Sequence, residues 1–103
     1  MEKDNKLQID TDMLKAGAQV LRAIKHKLRM QIIQLIQKKE SMNVTDIYKA
    51  LKLEQSVASQ HLAILRKEGF VITERHGKEI FYSVNYKRFH AVDKIVRQLL
   101  HSE

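Results

Sequence analysis

The chain of 103 residues contains no cysteine, no proline and only 3 glycines. The missing cysteine removes disulfides, thiolate metal centres, thiol redox sensing and cysteine nucleophiles at once, and is compatible with a reducing compartment. Without proline there is no proline-rich linker and no proline-set turn, so reversals fall to Gly69, Gly77 and the asparagines. No apolar run reaches the ~18 residues of a membrane helix. The segment Met1 to Gln8 is too polar for a secretion signal. Together these features predict a cytoplasmic protein with no membrane partner.

What is present fits a folded domain. Hydrophobic residues make up 44% and charged residues 30%, proportions of a globular protein rather than a disordered one. The length is that of one domain, residues 1–103, with a core small enough that a second copy of the chain is a reasonable source of further stability. The 19 Lys and Arg exceed the 12 Asp and Glu, for a net charge of +7 and a pI near 9.8. The surplus is localised. Residues 1–24 and 89–103 are each neutral, whereas residues 25–39 carry +5, residues 40–55 carry −1 and residues 56–88 carry +3. A basic centre between neutral ends points to a polyanion partner, most simply nucleic acid, with ordinary solvated helix faces as the competing reading.

Periodicity predicts a helix α1 over about Met13 to Ile24, with Asp10, Thr11 or Asp12 available as its cap. Gly17 interrupts it, either to permit close helix contact or as a tolerated cost of up to ~1 kcal/mol. A second helix, α2, runs from about Lys27 to Lys38 with Leu28, Ile32, Leu35 and Ile36 on one stripe. Arg29 falls inside that stripe, as a paired structural cation rather than a DNA contact is expected to do. Asn43 caps α3, about Val44 to Leu51, with Asp46 favouring the helix dipole at the third position. After Lys52-Leu53-Glu54, α4 covers about Gln55 to Glu68 and stops at Gly69. The period then changes. Phe70 to Glu74 and Glu79 to Val84, separated by Arg75-His76-Gly77-Lys78, read as a β-hairpin, and Asn85 caps α5, about Tyr86 to His101. The expected architecture is mainly α with one hairpin, α1-α2-α3-α4-β-β-α5: a helix-turn-helix over residues 43–68 followed by a wing over 70–84.

The wheel of α4 carries the functional argument. Val57, Ala58, His61, Leu62, Leu65 and Glu68 share one side; Ser56, Ser59, Gln60, Ala63, Arg66 and Lys67 share the other. Ser and Gln can reach base edges in a major groove, Ala63 leaves room or meets a thymine methyl, and Arg66 and Lys67 can bond phosphates. At the wing tip, Arg75, His76 and Lys78 flank Gly77 and suit a neighbouring groove or backbone, with a solvated turn as the alternative. The last helix presents Phe89, Val92, Ile95, Val96, Leu99 and Leu100 as an apolar stripe, on a helix that need not join the central core. This stripe and the α1 residues Leu14 and Leu21 predict dimerisation through residues 1–24 and 86–103.

The pattern Ser56-x-x-Ser59-x-His61-Leu62-x-x-Leu65-x-x-x-Gly69-Phe70-Val71, then Arg75-x-Gly77 and Phe81-Tyr82, resembles the ArsR/SmtB family of winged-helix repressors. Upstream, His26 to Ile36 resembles the family's second helix, so the similarity spans about Leu21 to Val84. The resemblance implies a homodimeric repressor that binds an imperfect palindrome in double-stranded DNA and releases it on sensing a signal. It places DNA contacts at Gln55, Ser56, Ser59, Gln60, Arg75 and Lys78, and His61 at an inward-packing position. The family's thiolate pair would fall at Asn43 and Thr45, so that sensor is missing. His90 and His101 match the histidines of the family's other metal site. They lie ~16 Å apart along one helix, so only an antiparallel partner could bring His90 of one chain towards His101 of the other. Arg88 stands where that site has an aspartate, and its glutamate has no counterpart beyond Glu103. The expectation is therefore no metal and no cofactor, with His90 in an ordinary i,i+3 pair with Asp93.

Two other classes fit less well. A winged-helix module binding an acidic protein would show exposed aromatics on α4, which that helix lacks. An enzyme built on Ser56, Ser59 and His61 fails because the histidine points away from both serines and no carboxylate orients it. The signal itself is left open between a small molecule, pH acting through the 5 histidines, and the protein's own concentration.

Overall fold

The computed structural model describes residues 11–100, without the side chains at 11–14, 16, 96 and 98–100. Five helices and three strands occupy that span: α1 (Thr11–Lys25), α2 (Lys27–Lys39), β1 (Met42–Asn43), α3 (Val44–Ala50), α4 (Gln55–Lys67), β2 (Val71–His76), β3 (Glu79–Val84) and α5 (Tyr86–Leu100). The expected order is present, with one addition. The two-residue strand β1 pairs antiparallel with β3, Met42 opposite Tyr82 and Asn43 opposite Phe81. The sheet therefore has three strands in the order β1-β3-β2.

The core is built where the helical stripes meet that sheet. Ala23 of α1, Ile32, Ile33 and Ile36 of α2, Ile47 of α3 and Leu62 and Leu65 of α4 form one buried cluster with Met42, Phe70, Val71 and Val84. Thr11 and Asp12 lie inside α1 rather than before it, and Asp10 lies outside the described residues. A Cβ at Gly17 would meet nothing within 4 Å, so no close packing within the described chain demands a glycine there.

Local hydrogen bonding sets the helix ends. Asn43 Oδ1 accepts the Asp46 amide at 2.8 Å, the expected cap of α3. The cap of α2 is His26, whose Nδ1 accepts the Leu28 amide at 3.2 Å. The two helices of the helix-turn-helix end alike. The Leu53 amide reaches the Tyr48 carbonyl and the Lys52 amide that of Lys49, while Phe70 reaches Leu65 and Gly69 reaches Arg66, a Schellman closure in each case. This geometry needs a left-handed residue. Gly69 (φ 83°) supplies it without strain after α4, whereas Lys52 (φ 56°) supplies it after α3 at a cost of ~1 kcal/mol. In the wing, His76 pairs with Glu79, which leaves a two-residue turn. Only its first residue, Gly77, has positive φ, the pattern of a type II′ hairpin.

Two expectations about α5 are corrected. Phe89 and Val92 do not stand clear of the core: both pack against it, and the Phe89 ring lies 4.7 Å from that of Phe70. Ile95, one turn on, remains 48% exposed. The stripe is wide enough to serve two directions, its first turns meeting the chain's own core. Leu21 is partly buried, whereas the side chains of Leu14, Val96, Leu99 and Leu100 lie outside the described set. The second correction is that Asp93 pairs with Arg97 at 2.9 Å rather than with His90, because i,i+4 spacing lets the longer arginine reach it.

Candidate nucleic-acid interface

Ser56, Ser59, Gln60, Ala63, Arg66 and Lys67 are all exposed, as is Gln55 at the start of the helix. Ala58, Leu62 and Leu65 on the opposite side are buried, and Val57, His61 and Glu68 are partly buried. The two faces fall as the wheel divides them. Leu62 and Leu65 fix the rotation of α4 by filling the core, which leaves the short polar groups outward over its first two turns. Arg66 and Lys67 lie ~10 Å further along the axis from Ser59 and Gln60. The N-terminal end is left open: Glu54 makes no side-chain cap and the first turn holds no acidic residue.

The wing gathers the other candidate cations. Arg75 and Lys78 are exposed on either side of Gly77, and Arg75 Nε donates to the Gly77 carbonyl at 3.1 Å. Nearby carboxylates are engaged elsewhere. Glu74 meets His76 at 3.0 Å, and Glu79 accepts from Asn43 Nδ2 at 3.3 Å. Among the described residues the one contact between fixed opposite charges is that of Asp93 with Arg97, so Arg66, Lys67, Arg75 and Lys78 make none. A polyanion would meet these cations without breaking an ion pair.

Behind this surface, the inward side of α4 carries one polar junction. Arg29 Nε donates to His61 Nδ1 at 3.2 Å, and its Nη1 donates to the carbonyl of Ala23 at 3.1 Å and that of Arg22 at 3.4 Å. Arg29 is thus a structural cation, as expected, but neutral acceptors rather than a carboxylate hold it. The His26 ring lies 4.7 Å from that of His61. Burial lowers the His61 pKa below its ordinary 6.5, and the neighbouring His26 and Arg29 lower it further. A protonated Nδ1 could no longer accept from Arg29. Because the folded chain holds this proton less tightly than the unfolded chain, the stability present above pH ~6.5 is lost as pH falls from there through the folded pKa. Denaturant midpoints measured between pH 7.5 and 5.5 should fall with acidification, and His61→Gln should flatten that slope.

Arg88 shows why one family position differs here. Its Nε donates to the Glu68 carbonyl at 2.8 Å, and its guanidinium lies 5.7 Å from the centre of the Phe70 ring. Asn85 Nδ2 donates to the Gly69 carbonyl at 2.9 Å, and its Oδ1 accepts the Arg88 amide at 3.4 Å. The start of α5 therefore clamps the end of α4, a role that sequence spacing alone does not reveal. His90 is exposed and His101 lies outside the described residues. Among the described residues no group of three or more metal-ligating side chains converges, and no helix is long and apolar enough to cross a membrane.

Residues 26–73 match the model of the bacterial regulatory proteins of the arsR family. The chain is 34% identical over 93 residues to the transcriptional repressor PagR of Bacillus anthracis, covering 89% of this chain and 92% of that one. It is 31% identical over 80 residues to the transcriptional activator HlyU of Vibrio cholerae, covering 78% and 73%. The crystal structure of PagR superposes with a TM-score of 0.65 at 33% identity, over 84% of this chain and 99% of that one. A homodimeric winged helix-turn-helix DNA-binding domain from Mycobacterium bovis shares the fold, with a TM-score of 0.72 at 23% identity over 93% and 90%. The protein belongs to the arsR family of bacterial regulatory proteins and is a DNA-binding transcriptional regulator.

Proposed function

We propose that the protein is a homodimeric repressor acting in the cytoplasm, which binds an imperfect palindrome and leaves it when a signal is sensed. The observation that carries this reading is the exposed polar face of α4, set by its buried opposite side. Gln55, Ser56, Ser59 and Gln60 meet base edges and nearby phosphates in the major groove, Arg66 and Lys67 hold phosphates further along, and Arg75 and Lys78 hold the flanking backbone. The similarity to a named repressor supports the direction of regulation. A gel-shift titration against duplex from the protein's own upstream region tests it. The expected result is one dimer on a two-fold site, with log affinity falling steeply against log salt concentration; a flat salt response counts against it. Gln60→Ala should lower discrimination at one base pair by ~1 kcal/mol or more, without a comparable loss on non-specific duplex.

Dimerisation is assigned to α1 and α5, through Leu14, Leu21, Ile95, Val96, Leu99 and Leu100, while Phe89 and Val92 serve the chain's own core. The exposure of Ile95 beyond two core-packed residues supports an outward-facing segment there. Ile95→Glu should shift the protein towards monomer in sedimentation at micromolar concentration, because a carboxylate in an apolar interface loses its hydration. A wild-type protein that sediments as a monomer at that concentration defeats this assignment.

A further inference from the structure

Where α1, α2 and α4 meet, an open cleft of about 640 Å³ faces solvent, a size within the range of small-molecule sites. Arg22, Lys25, Arg29 and Lys67 line it together with His26, and among the described residues the one carboxylate in its wall is that of Glu68. Ala23 and Ile64 supply apolar surface. None of the four fixed cations makes an ion pair among the described residues. Glu68 Oε2 instead accepts from Gln19 Nε2 at 3.1 Å, which bridges α1 and α4. Arg29 uses Nε and Nη1 internally, and its Nη2 makes no hydrogen bond among the described residues.

Four like charges around one concavity repel one another, and a bound anion relieves that repulsion. Arginine and lysine together suit a phosphoryl group, the first by its planar fork and the second as a point charge. The apolar patch favours a ligand with a carbon skeleton, and the Glu68 carboxylate can accept from a hydroxyl. That carboxylate also disfavours a continuous phosphodiester backbone, which offers no donor to it. We propose that this cleft binds a small phosphorylated molecule. Bound there, such a ligand joins α1 and α2 to Lys67 at the end of α4 and withdraws that cation from DNA, so it serves as a releasing signal. This last step rests on the repressor reading; the binding itself does not.

The test uses the full chain and inorganic pyrophosphate as probe, followed by the ring and side-chain NMR signals of His26, His61 and Gln19, with sodium chloride at matched ionic strength as control. The expected result is saturable shifts at those residues. Arg22→Gln/Lys25→Gln, two exposed positions, should weaken binding about tenfold or more, while Arg75→Ala/Lys78→Ala should leave it unchanged. Shifts that sodium chloride reproduces, or an unaltered affinity in the Arg22/Lys25 variant, overturn the proposal. So does an outcome in which pyrophosphate has no effect and that variant loses DNA affinity as the wing variant does, because the cleft then belongs to the DNA footprint. Saturable binding with no change in DNA affinity keeps the site and removes its role in release.

Discussion

Replacing Phe70 by alanine is expected to remove about 3–5 kcal/mol of folding free energy, the largest stability effect anticipated for any single position. The ring is 0% exposed and lies against Phe89 on one side and the Arg88 guanidinium on another. The backbone of the same residue ties two elements together. Its amide closes the end of α4 on the Leu65 carbonyl, and its carbonyl accepts the Asn85 amide ahead of α5. Truncation leaves those bonds possible but removes the packing that holds them in place, and neighbours fixed by backbone bonds cannot collapse into the space. Since a domain of this size has roughly 5–15 kcal/mol in total, the substitution removes between about a fifth and the whole of that margin, and the denaturation midpoint should fall accordingly. Urea denaturation at fixed protomer concentration checks this. Ile72→Ala, at a 50% exposed position, is the comparison and should change stability by about 0.5 kcal/mol or less. A Phe70→Ala loss below ~1 kcal/mol would contradict the packing described.

The second large effect concerns binding. Arg75→Ala/Lys78→Ala should weaken DNA binding about 30-fold at physiological salt and lower the salt slope by about two, since each phosphate contact contributes ~0.9 to that slope. Both residues are exposed and free of ion pairs among the described residues, so stability should change little. The loss should be nearly uniform across sequences, in contrast to Gln60→Ala. A preserved salt slope would remove the wing from the proposed footprint. Fluorescence anisotropy across a salt series on operator and scrambled duplexes gives both quantities.

The division of α4 was legible in the sequence because a 3.6-residue period records burial directly: every outward residue of its wheel is exposed and every inward one is at least partly buried. The Asn43 cap and the glycine turns were equally legible, since their chemistry acts over three residues or fewer. Long-range pairings were not. Strand β1 holds two residues, too few for an alternation to register. The Arg29–His61 bond and the clamp made by Arg88 span 32 and 20 residues, and no local pattern encodes which acceptor such a side chain reaches. In α5 the apolar stripe was visible, but sequence could not say that Phe89 and Val92 turn towards the chain's own core.

Strand β1 bears on what the protein can tolerate in its target. Asn43 pairs with Phe81 in β3, bonds Glu79 beside the wing tip, and caps α3 through Asp46. One short segment therefore fastens the wing to the start of α3 and so to the helix-turn-helix. In the proposed footprint that tie holds the hairpin at a set distance from the recognition helix. Operators whose groove width departs from that distance are then expected to incur a bending cost at positions that no side chain touches, which places part of the expected selectivity in DNA stiffness.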